Sequence, residues 1–457
     1  MERESYKNDY TDHIQTALHV IPFYSKYYQK IKDITHASDT LIYSGMQFIL
    51  SLGLQNASIT TEMGTVRPNL AIVGIFPSGY SKSPMLRVIR ESSRFWPSGH
   101  NNHIQSFEMF SPEGIKSFLN RLSDEEKSHM YKMTLLRDEV STLAKSTRNG
   151  MMSGSGLEFL SNLMDGTIEQ HDTRASGHET FPESIYCPMW FTGTPAFWTY
   201  ITNDWWTQGI AFRLLYPLRG EMDTRGIGFE GKLVTLDDDF KGNIGSLTDI
   251  SDFIPDDDFK KLYKEETQSI REKQHHSITD GKSEDMEIQY YRKFPEIVLK
   301  LAMIHRAAMM DPPRKSPYHN DDVREWQAYI LNQEDFQWAT QEFEMYHEGF
   351  IQAYNSYLDA QSERYRRVDT SALENKFMKY YAIVKDEKKL TYIINDDNST
   401  SQHSKGEWLK LSDICRYANF NGLDKDAVIK SLLTKGLIEK CTCINHYNEV
   451  AMVKLTQ

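Results

Sequence analysis

Cysteine is scarce. Four residues in a chain of 457 exclude a disulfide scaffold. Long apolar runs are missing too: the stretch from Leu70 to Phe76 falls far short of the ~20 residues needed to cross a bilayer. The opening MERESYKNDY has no apolar segment, so no secretory signal is expected, and the chain reads as cytoplasmic with no membrane partner. Positive charge is not in excess, with 52 Lys and Arg against 64 Asp and Glu. The net charge of −12 excludes a chain-wide basic coat and confines any nucleic-acid contact to a local surface. No period of 20–50 residues repeats, which argues against a solenoid. Core material is plentiful: 39% of residues are hydrophobic, including 22 Phe and 25 Tyr, which excludes global disorder. The length allows about three domains.

Spacing along the chain predicts an α/β protein. Residues 1–60 form an N-terminal helical region, with Ile14, Ala17, Leu18 and Ile21 on one face and Leu41, Met46, Ile49 and Leu50 on another. Three short apolar runs, Asn69–Ile75, Lys132–Leu136 and Met189–Thr192, have the length and branching of doubly covered strands. Helical stretches separate them, as in Ser111–Leu122, where Ser111 is a cap and Pro112 opens the helix. That alternation indicates a parallel sheet flanked by helices, a core over 61–310. Residues 221–285 are polar and read as an insertion, with acidic triplets at Asp237–Asp239 and Asp256–Asp258 that suit helix caps and solvated turns better than a metal. A helical linker is expected over 311–367. Residues 368–457 form a separate module. Its helix, turn, helix, hairpin order is that of a winged helix, and its 13 basic and 12 acidic residues leave it nearly neutral.

The sharpest local feature is FPSGYSKSP, Phe76 to Pro84, between an expected strand and an expected helix. A phosphate-binding loop needs that setting, because backbone N–H groups at a helix N-terminus wrap an anion. Lys82 would meet the β- and γ-phosphates of ATP, and the Ser83 hydroxyl would bind Mg²⁺. The match to G-x-x-x-x-G-K-[ST] is imperfect: Phe76 and Ser81 stand where glycines are usual. A side chain at 81 disfavours positive φ by about 1–2 kcal/mol. An ordinary strand-to-helix turn is the competing reading.

Asp138 and Glu139 end the second strand, 56 residues beyond Lys82. In P-loop ATPases such an Asp holds the Mg²⁺ shell and the adjacent Glu polarises the attacking water; a surface turn with two acids is the alternative. Thr192, at the end of the third strand, can sense a γ-phosphate from between the other two, and Thr194 is a second candidate. Arg213 lies in the apolar GIAFRLLY, so it needs a partner: an arginine finger or a structural salt bridge. Arg292 is a weaker candidate. Four of the eight tryptophans fall between Trp190 and Trp206, where packing competes with base stacking. Cys441 and Cys443 with His446 make only half a zinc site. In the last module, Lys425 and Lys430 lie on a helix that could enter a DNA groove; protein binding is the alternative.

The ordered set RPNLAIVGIFPSGYSKSPML, SPEGIKSFLNRL, MTLLRDEVSTL, GLEFLSNLMDG, MWFTGTPAFW, QGIAFRLLYPL and RKFPEIVLKLAMI resembles a domain-of-unknown-function family of P-loop proteins. These occur on phages, plasmids and integrated elements and are usually predicted to be replicative helicases or primase-associated ATPases. The resemblance covers about residues 35–310. It implies a RecA-like ATPase core acting on DNA as a homo-oligomer, often a hexameric ring. By position it makes Ser78, Gly79, Lys82 and Ser83 the phosphate loop, Asp138 and Glu139 the acidic strand end, Thr192 or Thr194 the sensor, and Arg213 the finger. Ser81 departs from the family's usual Gly. Two functions follow as expectations: an ATP-dependent DNA helicase or replication-initiation ATPase of a mobile element, and a non-hydrolysing relative that binds DNA or regulates. A purely structural interaction protein is the third option.

Overall fold

The computed structural model describes residues 2–62, 64–94, 104–107, 111–141, 154–166, 172–173, 177–178, 181–201, 203–207, 209–219, 236–279, 286–317, 326–367, 370–388, 392–394, 400–402, 408–418, 422–445 and 448–456. The chain is mixed α/β and divides into two compact units, Met1–Tyr357 and Leu358–Gln457. Among the described residues no helix is long and apolar enough to cross a membrane.

The first unit opens with three helices, α1 (Glu2–Val20), α2 (Pro22–Thr35) and α3 (Asp39–Gly53). Ser38 caps α3 by accepting from the Leu41 N–H. The sequence suggests one apolar face for α3, but every residue from Thr40 to Gly53 is buried. Several of its polar side chains are bonded internally: Ser51 donates to the Phe48 carbonyl, and the Tyr346 hydroxyl donates to Ser44. The helix lies on the sheet, with the Phe48 ring 5.5 Å from that of Trp190.

That sheet is parallel. Its four main strands are β1 (Ala71–Ile75), followed by helix α4 (Lys82–Arg94); β2 (Gln105–Phe107), followed by α5 (Pro112–Asn120); β3 (Tyr131–Arg137), followed by α6 (Gly154–Asp165); and β4 (Met189–Gly193), with Ile185–Tyr186 pairing in parallel with β3 as a short fifth. The spatial order is β1-β4-β3-β2, so the last strand in sequence sits between the first and third. Ala71 to Ile75 pair with Met189 to Gly193, and Leu135 to Arg137 pair with Met189 to Phe191. Four of the five residues of β1 and all five of β4 are buried, as covering on both faces requires. On the outer edge of β1, Leu215 makes a parallel bridge with Ile72.

The segment read as a polar insertion contributes to the fold. Asp237 caps α7 (Asp238–Ser246) and pairs with Lys30, while Asp239 pairs with Lys26 and Tyr27 of α2. Strand β5 (Ile250–Pro255) follows, then α8 (Asp257–Thr279), where Asp256 accepts from the Phe259 N–H. The acidic triplets are thus helix caps and ion-pair partners. After α9 (Phe294–Ala308), strand β6 (Gln327–Leu331) pairs in parallel with β5 and leads into α10 (Gln333–Arg367). Residues 327–331, read as part of a helical linker, are therefore a strand. The aromatic segment is core: Trp190, Trp198, Trp205 and Trp206 are all buried, and the rings of Trp198 and Trp206 stack at 6.4 Å.

In the second unit, α11 (Thr370–Lys388) precedes strand β7 (Leu409–Lys410), helices α12 (Leu411–Ala418) and α13 (Gly422–Thr434), and a hairpin of β8 (Ile438–Asn445) and β9 (Asn448–Leu455). The sheet order is β7-β9-β8. Phe377, Tyr381, Val384, Ile414, Val428, Leu432 and Val453 fill the core. Gly436, at φ 64°, ends α13: its N–H donates to the Leu433 carbonyl and that of Leu437 to the Leu432 carbonyl. Cys441 and Cys443 face Met452 and Val450 across the hairpin. His446, the third residue of the half zinc site, lies outside the described residues.

Candidate functional site at the C-terminal ends of three strands

In open parallel sheets, ligands bind beyond the carboxyl ends of the strands. At that end β1 runs through Phe76 and Pro77 into a turn over Ser78–Tyr80, and α4 begins at Lys82. The Phe76 N–H donates to the Gly193 carbonyl at 3.1 Å, which ties the loop's first residue to β4. Gly79 stands at φ 90° and Ser81 at φ 55°. Two positive-φ residues thus flank Tyr80, and anion-binding concavities of successive N–H groups are likewise built on left-handed positions. Ser81 adopts the conformation that a glycine would take more easily, at a cost of about 1 kcal/mol.

The other missing glycine has a different resolution. Phe76 is 1% exposed, and its ring packs back over β1. A Cβ added at Gly74 would lie 2.8 Å from that ring, so the bare backbone at 74 makes the space that Phe76 fills. On the other side the Phe76 ring stacks on Tyr80, with centroids 5.8 Å apart and planes at 8°. The Arg219 guanidinium lies over the Tyr80 ring, 5.9 Å from its centroid.

Asp138 joins the strand ends. Ser83 Oγ, in the first turn of α4, donates to its Oδ2 at 2.6 Å. Thr192 Oγ1, from β4, donates to its Oδ1 at 2.9 Å. Hydrogen bonds to an ionised acceptor contribute about 1.5–3 kcal/mol each, so this carboxylate fastens loop helix, acidic strand and central strand to one another. Thr194, the other candidate, is half-buried, and its side chain makes no cap to the short helix it precedes. Glu139 is at φ 60°, and Ser141 donates to its Oε1. Among the described residues only four non-glycine residues have positive φ. His36 and Met310 lie at helix C-termini, where that conformation is ordinary; Ser81 and Glu139 lie here.

Lys82 is 9% exposed and donates to the carbonyls of Phe76 at 2.6 Å and Pro77 at 3.0 Å. Burial lowers its pKa from the ordinary lysine value, and the carboxylates of Glu139 and Asp138 oppose that shift. Ser78 and Gly79 are exposed on the loop's crest.

Arg213 does not belong to this group. Its Nε and Nη2 bind the Asp165 carboxylate at 2.7–3.0 Å, and its Nη1 donates to the Gly209 carbonyl. It lines a small cavity with Asn69, Leu70, Lys293 and Glu296, at the start of β1 rather than at its end. Arg292 is exposed in the turn before α9. Lys425 is half-buried and Lys430 exposed on α13, in the second unit. The reading of the sequence missed Ser141 and Arg219. Ser141 meets Glu139 in the turn after β3, and Arg219 reaches Tyr80 from a distant segment, a contact no short motif announces.

The residues fit Mg²⁺ in one particular way. Among the described residues no group of three His, Cys, Asp or Glu could hold a metal by itself. Ser83 and Asp138 offer one hydroxyl and one carboxylate, which suits an ion that keeps waters and takes phosphate oxygens as its remaining ligands. No protein-family model matches the chain, and no curated protein matches it.

Proposed function

We propose that the chain is a Mg²⁺-dependent P-loop ATPase whose turnover serves DNA. The observation that carries the reading is the Asp138 carboxylate, bonded at once to Ser83 beside Lys82 and to Thr192 on β4, between β1 and β3. It joins, on one carboxylate, the loop helix, the acidic strand end and a polar residue from the strand between them, the groups that phosphoryl transfer requires.

In this reading Lys82 leaves the carbonyls of Phe76 and Pro77 for the phosphates. The turn over Ser78–Ser81 supplies backbone amides. Ser83 and Asp138 would hold Mg²⁺, which would screen the charge on the phosphates. Glu139, once released by Ser141, accepts a proton from the attacking water or orients it. Thr192 fixes Asp138 and reports the state of the phosphate to β4.

The second unit supports the DNA half. Its helix α12, helix α13 and hairpin follow the order of a winged helix, with Lys425 and Lys430 on the helix that would meet a groove. The resemblance to phage and plasmid P-loop proteins extends the reading to a helicase or replication-initiation ATPase of a mobile element, working as a ring of identical subunits. A second reading, a non-hydrolysing DNA-binding or regulatory relative, is favoured by one observation: Lys82 is engaged by backbone carbonyls and Glu139 by Ser141.

The test is ATP turnover by the full chain with and without DNA, alongside Lys82→Ala and Glu139→Gln. The motor reading expects DNA-stimulated hydrolysis that both substitutions abolish. Hydrolysis indifferent to both overturns it. Nucleotide and DNA binding without turnover moves the choice to the second reading.

A further inference from the structure

Arg213 and Arg219 lie six residues apart on one segment, and the register of that segment sends them to opposite ends of the sheet. Leu215 bridges Ile72 in parallel: its N–H donates to the Ala71 carbonyl at 2.8 Å, and the Val73 N–H donates to the Leu215 carbonyl at 2.9 Å. The chain therefore runs beside β1 in the same direction. Two residues before Leu215, Arg213 falls at the start of β1, in its ion pair with Asp165. Four residues after it, past the bridge, the chain has come beside Tyr80 of the phosphate loop. Arg219 stands there, exposed, with its guanidinium 5.9 Å from the centroid of Tyr80. Tyr80 is the residue between left-handed Gly79 and Ser81, two before Lys82.

The geometry points to Arg219 as a phosphate-binding residue supplied in cis, which leaves the Tyr80 face to grip the terminal phosphates of a triphosphate held by the loop. The inference rests on the phosphate-loop reading above and names a residue that reading does not contain. Three features carry it. The guanidinium is a flat fork that matches two phosphate oxygens, as a lysine does not. Its present contact, an exposed cation over a half-buried aromatic ring, is weak and readily exchanged for an anion. The parallel bridge at Leu215 sets the direction of the segment along β1, and the contact with Tyr80 places residue 219 on the flank of the loop. Arg213, the arginine that the sequence singles out, is held by Asp165, and Arg219 takes over the positive charge at the reacting end.

The experiment measures affinity of the full chain for a non-hydrolysable Mg-ATP analogue and for Mg-ADP, in wild type, Arg219→Ala and Arg219→Lys, with the melting temperature of each without nucleotide. The expected result for Arg219→Ala is a loss of roughly tenfold or more in affinity for the triphosphate and a smaller loss for the diphosphate. Arg219→Lys should recover part of it, with melting temperatures unchanged. Wild type that binds both nucleotides, with Arg219→Ala matching it within about twofold on the triphosphate, overturns the role of Arg219 alone. Wild type that binds neither overturns the phosphate-loop reading and this inference with it.

Discussion

The two ends of β1 lie within a few residues of each other and treat charge in opposite ways. At the start, Arg213 and Lys293 share Asp165, while Lys293 and Lys300 share Glu296, with N–O distances of 2.7–3.4 Å. The charged groups there neutralise one another. At the other end Lys82 donates to backbone carbonyls, and Asp138 accepts from two hydroxyls. Lysine and aspartate are close enough to influence each other, yet their hydrogen bonds go to neutral groups. Charges committed to each other hold a fold together. Charges held by neutral groups, beside two residues at strained backbone angles, can be handed to a ligand.

Substitutions at the two ends should therefore differ in what they damage. The largest effect belongs to Glu139→Gln, expected to lower ATP turnover by about 10²–10⁴-fold with little change in unfolding, as read by phosphate release and denaturant melts. Next comes Glu296→Gln at the opposite end. Glu296 meets a desolvation cost that alone would raise its pKa, but Lys300 and Lys293 outweigh it and hold the carboxyl down at about 2. Its folded pKa is thus below its unfolded value near 4.5, so its stabilisation is present above that value and is lost as pH falls toward 2. The variant should be less stable by roughly 2–3 kcal/mol at pH 7, a gap that closes on acidification between pH 4.5 and 2. Arg213→Ala should cost about 1–2 kcal/mol, since it strips a bidentate partner from the Asp165 carboxylate and leaves it to Lys293 alone, while nucleotide affinity stays as in wild type. A gap for Glu296→Gln that ignores pH, or a nucleotide defect in Arg213→Ala, would break the division between the two ends. The smallest effect is Ser81→Gly: relief of positive φ should stabilise the chain by about 1 kcal/mol, visible as a rise of a few degrees or less in melting temperature.

The strands of the central sheet were legible because each is a short apolar run ending in polar residues. β1, β3 and β4 all lie where Asn69–Ile75, Lys132–Leu136 and Met189–Thr192 suggest. β5 and β6 were not legible. Ile250–Pro255 sits in a segment dominated by acids, and Gln327–Leu331 is too short to stand out before a 35-residue helix. Each strand is fixed by pairing with the other across some 75 residues, which local spacing cannot convey. Within the candidate site, Lys82, Ser83, Asp138 and Thr192 could be named from residue type and order. The backbone angle of Ser81 could not. Sequence gives the cost of a side chain there; only the folded loop reveals that the chain accepts it. Arg213 illustrates the converse. An arginine in an apolar segment must find a partner, but the choice between phosphate and Asp165 depends on a register that residue types leave open.

Calorimetric titration of Mg-ATP into the full chain, with Asp138→Asn as the matched control, tests the central claim most directly. The account predicts saturable binding by wild type that weakens sharply when Mg²⁺ is chelated and loses its metal dependence in Asp138→Asn. Heat signals identical for the two proteins, or no binding by either, would contradict it.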